Sequence, residues 1–274
     1  MADFDLIVIG GGSGGIATAR RAAEYGARVA VAENRPLGGT CVNVGCVPKK
    51  VMWYAASLAH GVEEARDYGF DVRSSGHDWL SLKRARDAYV KRLNGIYARN
   101  LEKSGVTHLQ GFARFLDAKT IEVDGERYSG ERFLIASGGY PARPDIPGGE
   151  LGISSDGFFE LEKQPRRIAV VGSGYIAVEL AGMLNALGSK VSLIVRRDGV
   201  LRDFDYSLRQ RLMAEMEADG LELITQAVPT AARQDGEGYA LETEDGRVLC
   251  PFDELLWAIG REPATQGLGL EKAG

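Results

Sequence analysis

The fold is decided by the stretch Asp5-Leu6-Ile7-Val8-Ile9-Gly10-Gly11-Gly12-Ser13-Gly14-Gly15. Its first five residues form a short apolar run rich in β-branched side chains, which is typical of a buried parallel strand. The glycines satisfy G-x-G-x-x-G, and a helix is predicted over Ile16–Tyr25, with Gly26 as its C-terminal stop. The stretch therefore predicts a strand, a phosphate-binding loop and a helix.

An acidic residue after the next strand completes this pattern. A second strand is predicted over Ala27–Ala32, and Glu33 follows Gly10 by 23 residues, close to the spacing of about 20 in the dinucleotide-binding fingerprint. The glycines let the backbone approach a pyrophosphate at the positive end of the helix, and the carboxylate accepts hydrogen bonds from ribose hydroxyls. These residues predict a site for a dinucleotide with a free adenosine ribose, which suits FAD.

The same pattern returns 162 residues further along the chain. Arg167–Val171 is predicted to be a strand, and Gly172-Ser173-Gly174-Tyr175-Ile176-Ala177 a second phosphate loop with alanine as its third small residue. A helix over Val178–Leu187 and a strand over Lys190–Val195 follow. Two such units predict an α/β protein with two Rossmann-like dinucleotide-binding domains, parallel sheets, covering helices and antiparallel β-meanders.

The second strand–loop–helix unit differs from the first at the position that corresponds to Glu33. The residue 23 positions after Gly172 is Val195. Arg196 and Arg197 follow directly, and Arg202 comes six residues after Arg196. Arginines in place of the carboxylate suit an adenine ribose that carries a 2′-phosphate. Because each charge-assisted hydrogen bond contributes roughly 1.5–3 kcal/mol, two such arginines favour NADP over NAD by orders of magnitude.

A redox function is indicated by the stretch Gly38-Gly39-Thr40-Cys41-Val42-Asn43-Val44-Gly45-Cys46-Val47-Pro48-Lys49-Lys50, which contains two of the three cysteines. A disulfide across so short a loop contributes roughly 2 kcal/mol, which is weak for a staple and reasonable for a reversible redox couple at the start of a helix. A cation and a helix N-terminus both favour a thiolate, and Cys46 lies nearer Lys49. Cys41 is then predicted to attack an external disulfide. Cys250 is interpreted as a packing residue.

Composition and charge narrow the class of protein. The 274 residues are 45% hydrophobic and 26% charged, which suits one large or two ordinary globular domains. The net charge of −5 argues against nucleic acid or an anionic membrane as the main partner. The sequence shows no apolar run of about 18 residues and no signal peptide. We predict a cytoplasmic protein, in which a disulfide is usually catalytic, and no metal site.

The remaining segments complete the predicted domains. The predicted elements are helices over Val51–Tyr68, Trp79–Lys103 and Tyr206–Asp219, an antiparallel meander over Leu109–Ala136, a proline-rich linker over Pro141–Gly149, a strand over Leu221–Thr225, a hairpin over Tyr239–Cys250 and a buried strand over Leu255–Gly260. The predicted domains are residues 1–143 for FAD, residues 144–262 for NADP, and residues 263–274 as the start of a return to the first domain.

The two nucleotide sites and the thiol pair predict one path for electrons. A nicotinamide does not easily reduce a disulfide directly, whereas a flavin converts between hydride and thiol chemistry. We therefore predict hydride transfer from NADPH to FAD, followed by electron flow from the flavin to the disulfide of Cys41 and Cys46. This is an NADPH:disulfide oxidoreductase activity.

Four segments carry a resemblance to a known family. They are Gly38–Lys50, Gly172–Gly182, Val195–Asp205 and Leu256–Pro263. In these segments, and overall from Phe4 to Gly274, the chain resembles the glutathione reductases of the pyridine nucleotide-disulphide oxidoreductase family. The resemblance implies reduction of glutathione disulfide to glutathione with FAD and NADPH.

The resemblance also implies roles for individual residues around the flavin. Cys41 would be the interchange thiol that attacks glutathione disulfide, and Cys46 the charge-transfer thiolate against the flavin. Lys49 would lie near the reactive flavin nitrogen and pair with Glu179. Tyr175 would cover the nicotinamide pocket and move when NADPH enters.

Further contacts to the cofactors and the substrate are implied in the same way. Arg196 and Arg202 would hold the 2′-phosphate, and Arg20 and Tyr97 would contact glutathione. The implied cofactor-binding residues are Gly10, Gly12, Ser13, Gly14, Gly15, Glu33, Thr40, Cys41, Lys49, Ala136, Gly172, Gly174, Tyr175, Ile176, Glu179, Arg196, Arg202 and Gly260.

The sequence departs from the family in length. The family's chain continues for nearly as much again, through a dimerisation domain that supplies a His–Glu acid/base pair to the partner's thiols. We expect either a fragment of a longer enzyme or a form with impaired turnover, and a homodimer for the full-length protein. His60, His77 and His108 are interpreted as surface or packing residues.

Other functions stay open at this point. Trypanothione, mercuric and dihydrolipoamide enzymes share the class. Arg196 and Arg202 oppose a lipoamide enzyme, which normally uses NAD, and Arg20 favours glutathione over trypanothione. Mercuric reductases usually add a cysteine pair near the C-terminus. The alternative from another class is a nucleotide-binding module without thiol turnover.

Overall fold

The computed structural model describes residues 2–74, 76–236 and 238–274, which divide into two compact units. The first unit runs to Pro48 and also contains Arg86–Tyr140 and Glu262–Gly274; the second contains Lys49–Ala85 and Pro141–Arg261. No helix in the described ranges combines the length and apolarity that crossing a bilayer requires. The cofactor-binding domains at 1–143 and 144–262 stay a prediction.

A six-stranded sheet forms the centre of the first unit. In chain order its strands are β1 (Phe4–Ile9), β2 (Val29–Glu33), β3 (Thr107–Gln110), β4 (Ala113–Asp117), β5 (Thr120–Val123) and β6 (Glu126–Ile135). Across the sheet they run in the order β3-β2-β1-β6-β5-β4. Neighbouring strands pair in parallel from β3 through β2 and β1 to β6, whereas β5 pairs antiparallel with both β6 and β4. The predicted α/β class with a parallel sheet and an antiparallel meander is confirmed.

The start of the predicted meander is wrong. Leu109 lies in β3, which pairs in parallel with β2, so the meander begins only at β4. In addition, β6 is one strand of ten residues that pairs antiparallel with β5 in its first part and in parallel with β1 in its second. Local alternation does not reveal these pairings, because the partner strands lie far away in the sequence.

Both faces of this sheet are buried, because successive residues of a strand face opposite sides. Ile7 belongs to a buried cluster that includes residues of β4 and β5, whereas Val8 belongs to a cluster that includes residues of the covering helices. The helices up to residue 103 are α1 (Ser13–Glu24), α2 (Gly39–Asn43), α3 (Cys46–Glu64), a 3-10 turn (Ala65–Tyr68) and α4 (Trp79–Lys103).

A five-stranded parallel sheet forms the centre of the second unit. From residue 139 onward the elements are β7 (Gly139–Pro141), β8 (Ile153–Ser154), α5 (Ser155–Phe158), β9 (Arg167–Val171), α6 (Tyr175–Ala186), β10 (Lys190–Ile194), α7 (Tyr206–Ala218), β11 (Glu222–Ile224), β12 (Pro229–Asp235), β13 (Gly238–Thr243), β14 (Val248–Phe252), β15 (Glu254–Trp257), β16 (Arg261–Pro263) and a 3-10 turn (Leu270–Lys272). The parallel sheet has the order β11-β10-β9-β15-β8, and β7 pairs with β16. The predicted hairpin is confirmed as β13 and β14, to which β12 adds a third antiparallel strand.

Candidate active site

The first glycine loop joins β1 to α1 through contacts that leave no room for a side chain. Gly10 has φ +112°, and a Cβ there would lie 2.2 Å from the carbonyl oxygen of Ala136. A Cβ on Gly15 would lie 1.9 Å from the carbonyl oxygen of Gly10. Gly12 precedes the twelve-residue helix α1 without a side-chain capping bond, and the first turn contains no acid. The first N–H groups of α1 are therefore suited to binding an anion.

Glu33 lies at the end of β2 with its carboxylate held by backbone N–H groups. Its Oε2 accepts a hydrogen bond from the Gly11 nitrogen at 2.7 Å, and its Oε1 accepts one from the Arg35 nitrogen at 2.8 Å. Each carboxylate oxygen has further acceptor capacity, so the group can also accept bonds from ribose hydroxyls. Ser13 and Gly14 are exposed in the first turn of α1. The donor set of this corner fits an adenosine with a pyrophosphate.

The segment Gly38–Lys50, called the thiol segment below, begins directly on this glycine loop. The Gly38 nitrogen donates to the Gly11 carbonyl at 2.8 Å. A Cβ on Gly39 would lie 2.6 Å from the Cα of Gly12, so the two backbones are in close contact. Cys41 lies in α2, and Cys46 is the first residue of α3.

Both cysteines of this segment are free thiols that contact each other. Cys41 is half-buried, whereas Cys46 is exposed. Burial, together with the hydrogen bond to Cys46, raises the pKa of the Cys41 thiol to about 11. Cys41 is therefore almost fully protonated near neutral pH when both cysteines are reduced, and it needs a proton acceptor before it can act as a nucleophile.

Lys49 and Glu179 form the ion pair that was expected of them. Lys49 Nζ lies 2.8 Å from Glu179 Oε1, with side chains that are 27% and 37% exposed. Lys49 lies in the first turn of α3 and Glu179 in α6. A partly exposed pair contributes little to stability, so its geometry is of more interest than its energy. The functional roles of both residues stay a prediction.

The second glycine loop, between β9 and α6, repeats the geometry of the first. Gly172 has φ +146°, and a Cβ there would lie 2.2 Å from the carbonyl oxygen of Ala258. Gly174 precedes the twelve-residue helix α6 without a side-chain capping bond, and again the first turn contains no acid. Tyr175 is the first residue of α6 and is 61% exposed, and Ile176 is half-buried. The loop fits a second pyrophosphate.

An arginine-rich cavity of about 240 Å³ lies beside this loop. Its lining residues are Ser173, Gly174, Tyr175, Arg196, Arg197, Asp198, Gly199, Leu201, Arg202, Asp203 and Phe204. Arg202 Nε lies 3.2 Å from Asp203 Oδ1, in an exposed pair. The guanidinium groups of Arg196 and Arg197 form no ion pair with any residue that the structure describes. The sequence had singled out Arg196 and Arg202, and the structure adds Arg197 to the same cavity.

The two predicted glutathione contacts lie on helices of the first unit. Arg20 Nε donates to Ser104 Oγ at 3.0 Å. Tyr97 is half-buried against the cluster that contains Val8. Within the described residues, no hydrogen bond joins either side chain to the thiol segment. These two assignments stay predictions.

The other residues singled out in the sequence lie at strand ends or on the surface. The Ala136 nitrogen donates to the Ile9 carbonyl at 2.7 Å, beside the first glycine loop. Gly260 follows β15 with φ +137°, and Thr40 lies in α2. His77 and His108 are exposed and His60 is half-buried. The described residues contain no cluster of three or more His, Cys, Asp or Glu side chains suited to a metal.

Comparison with known proteins gives the class first. A sequence model of the family described as "Pyridine nucleotide-disulphide oxidoreductase" matches residues 4–274, so the chain belongs to this family. Among relatives, it is 46% identical to a glutathione reductase of Yarrowia lipolytica and 48% identical to one of Schizosaccharomyces pombe, each over 99% of this chain. The chain spans 61% of the length of either relative.

A solved structure gives the same class. The chain is similar to the HOCl-induced flavoprotein disulfide reductase RclA from Escherichia coli, with a TM-score of 0.87 and 27% identity. The match covers 98% of this chain and 59% of that one.

Proposed function

We propose that this chain provides the two nucleotide sites and the redox thiols of an FAD-dependent enzyme that reduces glutathione disulfide with NADPH. The observation that carries the proposal is the pair of glycine loops, one with Glu33 and the thiol segment beside it, the other with an arginine-lined cavity. The two similar proteins named glutathione reductase support this choice of substrate.

The first loop is the proposed FAD site, and the second is the proposed NADPH site. The N–H groups of Gly12 to Gly15 would bind the FAD pyrophosphate, and Glu33 would accept its ribose hydroxyls. Arg196, Arg197 and Arg202 would hold the 2′-phosphate of NADPH. When bound, FAD supplies the conversion between hydride and thiol chemistry.

Further contacts are proposed from the resemblance. Lys49 would lie beside the flavin, oriented by its bond to Glu179, and Tyr175 would cover the nicotinamide. Arg20 and Tyr97 would contact glutathione. The remaining cofactor contacts proposed are Thr40, Ala136, Gly172, Gly174, Ile176 and Gly260.

The thiol chemistry can be written in two exchange steps. After losing its proton, Cys41 Sγ attacks one sulfur of glutathione disulfide, forms a mixed disulfide and releases one glutathione thiolate. Cys46 Sγ then attacks Cys41 Sγ, forms the Cys41–Cys46 disulfide and releases the second glutathione thiolate. The two thiol protons go to the two thiolates, so the cysteines lose the two electrons that glutathione disulfide gains.

Reconstitution with FAD tests the proposal. The purified chain, incubated with FAD and freed of excess, should retain a yellow flavin spectrum. The chain is then oxidised with glutathione disulfide, so that Cys41 and Cys46 form a disulfide, and is freed of excess reagent. Addition of NADPH should make both cysteines alkylatable, which peptide mass spectrometry detects. A chain that binds FAD but leaves these cysteines unchanged would be a nucleotide-binding module without thiol turnover, and a chain that binds no FAD would contradict the proposal for this chain.

Assembly and location are further proposals. For a protein that has the full length of the similar glutathione reductases, we propose a homodimer. We propose the cytoplasm as its location. Size-exclusion chromatography with light scattering on such a full-length protein tests the first of these.

A further inference from the structure

The turn that leads into the thiol segment is held by the side chain of Asn43. Its Nδ2 donates to the carbonyl oxygen of Pro36 at 3.0 Å and to that of Gly39 at 2.9 Å, with a longer contact of 3.4 Å to Leu37. We call Pro36–Gly39 the leading turn. One amide, at the last residue of α2, thereby bonds both to Pro36 before the helix and to Gly39 at its first residue; α2 contains Cys41.

A second asparagine, in α4, fixes the orientation of the first. Asn94 Nδ2 donates to the Leu37 carbonyl at 2.8 Å and to Asn43 Oδ1 at 2.9 Å, which uses both of its hydrogens. Because Asn43 Oδ1 accepts this bond, Asn43 Nδ2 must face the carbonyl oxygens of the leading turn. The opposite orientation would set an oxygen against those oxygens. Both side chains are half-buried, so water replaces these bonds only in part.

The leading turn is also bound to the first glycine loop. The Gly38 nitrogen donates to the Gly11 carbonyl at 2.8 Å, and Gly39 contacts Gly12. Cys41 lies two residues beyond Gly39, within the five-residue helix α2. A helix this short is not stable by itself, so its position depends on such tertiary bonds.

We propose that Asn94, acting through Asn43, is a positioning residue that holds α2 so that the Cys41 thiol stays in contact with Cys46. The proposal rests on the thiol function proposed above and adds to it a residue 48 positions beyond Cys46 in the chain. Disulfide formation within a chain depends on how large a fraction of the time the two sulfurs are within reach. Loosening α2 lowers that fraction and makes the Cys41–Cys46 disulfide less favourable.

The redox equilibrium of the cysteine pair tests the proposal. The chain, in a Cys250→Ser background, is equilibrated with mixtures of glutathione and glutathione disulfide, alkylated, and weighed by mass spectrometry. Each lost hydrogen bond changes an equilibrium by roughly two- to tenfold. Asn94→Ala should therefore lower the equilibrium constant for disulfide formation about tenfold, which corresponds to a potential about 30 mV higher. Asn94→Ser, which retains one donor, should lie between Asn94→Ala and the parent chain.

Two matched variants separate positioning from general loss of stability. Asn100→Ala removes an asparagine of the same helix whose side chain makes no hydrogen bond with the described residues. Asn185→Ala removes a bond of 2.9 Å from a side chain to the Asp219 carbonyl, in the second unit. Both should leave the equilibrium constant within twofold of the parent chain. An Asn94→Ala variant that behaves like either of them would overturn the proposal.

The route through Asn43 has its own test. If Asn94 acts through Asn43, the double variant Asn43→Ala/Asn94→Ala should shift the equilibrium by less than the product of the two single shifts. Fully multiplicative shifts would overturn this part of the proposal. If Asn94→Ala does not fold, Asn94→Ser and Asn43→Ala provide the measurement. A parent chain that forms no disulfide in any mixture would instead contradict the proposed thiol function itself.

Discussion

The two glycine loops have the same backbone arrangement around different side chains. In the first unit the Gly10 nitrogen donates to the Ala32 carbonyl at 2.8 Å, and in the second the Gly172 nitrogen donates to the Ile194 carbonyl at 3.0 Å. These bonds align Ala32 with Ile194, and therefore align Glu33 with the next residue of the second copy, Val195. The sequence spacing gave the same alignment.

The aligned residues differ in a way that suits the same strand–loop–helix backbone to two different nucleotides. Glu33 reaches back to the Gly11 nitrogen with its carboxylate. Val195 is completely buried and offers no polar group, so the proposed recognition in the second copy rests on the exposed residues after it, Arg196 and Arg197. A change of sign at the end of one strand is enough to distinguish free ribose hydroxyls from a phosphorylated ribose.

The segment that follows the second strand also occupies the same place in both copies. The Gly11 carbonyl accepts from the Gly38 nitrogen at 2.8 Å, and the Ser173 carbonyl accepts from the Leu201 nitrogen at 2.7 Å. In the first copy this segment continues into α2 with Cys41. In the second it continues into Arg202. The same position thus leads to the proposed redox thiols in one copy and to an arginine of the proposed NADPH site in the other.

Removing the arginines should give the largest change. Arg196→Ala/Arg202→Ala removes bonds worth roughly 1.5–3 kcal/mol each, so kcat/KM for NADPH should fall by about 10²–10⁴-fold. The value for NADH should change by less than about threefold, because that cofactor lacks the 2′-phosphate. Steady-state kinetics of the FAD-loaded protein with both cofactors measures this. Arg211→Ala, which removes an exposed arginine of α7, is the control. Equal losses for both cofactors would contradict the assignment.

The raised pKa of Cys41 predicts a steep dependence of its alkylation on pH. Iodoacetamide reacts with the thiolate, and the pKa of Cys41 is raised to about 11. The alkylation rate of Cys41 in the reduced protein should therefore rise about tenfold per pH unit, or about 100-fold from pH 7.5 to 9.5. Peptide mass spectrometry of iodoacetamide-treated samples measures it. In Cys46→Ala the lost thiol contact should lower the pKa and speed alkylation at pH 7.5. A rate that levels off below pH 9 would show that the pKa is not raised.

The glycines at the two helix starts should separate binding from folding. A Cβ on Gly174 would meet no heavy atom within 4 Å, so Gly174→Ala should leave the melting temperature unchanged. It should nevertheless weaken NADPH binding by about tenfold, because the methyl group keeps the pyrophosphate from the backbone. Titration of NADPH followed by fluorescence measures the affinity.

The matching change in the first copy is Gly12→Ala. Its Cβ would lie 3.6 Å from the Gly39 Cα, an ordinary contact, and it should weaken FAD binding while NADPH binding stays the same. If either variant lowers the affinity for FAD and the affinity for NADPH equally, the assignment of one nucleotide to each loop is wrong.

Exchanging the residues at the strand ends should give the smallest and most specific changes. Glu33→Gln retains an acceptor but loses the charge, so FAD affinity should fall by roughly three- to tenfold. Arg196→Gln, at the exposed position directly after the buried Val195, removes the positive charge but retains a donor, so the ratio of NADPH to NADH affinity should fall by about tenfold. Equilibrium titrations with each nucleotide measure both. An unchanged ratio in Arg196→Gln would contradict the assignment of Arg196 to the 2′-phosphate.

Much of the fold could be predicted because its signals are local. The strand, the glycine loop and the helix follow one another within about 25 residues in each copy, and each has a direct physical cause in the sequence. The pattern predicts Leu109 in the meander, whereas it pairs in parallel with β2, and the pattern does not reveal that β6 also pairs in parallel with β1. Parallel pairing depends on strands that are distant in the sequence. The sequence places Arg197 directly after Arg196, but only the cavity shows that it lies together with Arg196 and Arg202.

The sequence alone determined two glycine loops, an acid after the second strand of one copy and arginines in that region of the other, and a pair of cysteines shortly after the first loop. These features depend on residue type and spacing over short distances, where backbone geometry is fixed by local rules. Only the tertiary structure decided which residues contact the thiol segment: the bond of Gly38 to Gly11, and that of Asn94 to Asn43 across 51 residues. Such partners meet because helices and strands pack together, and packing joins residues that no local pattern connects.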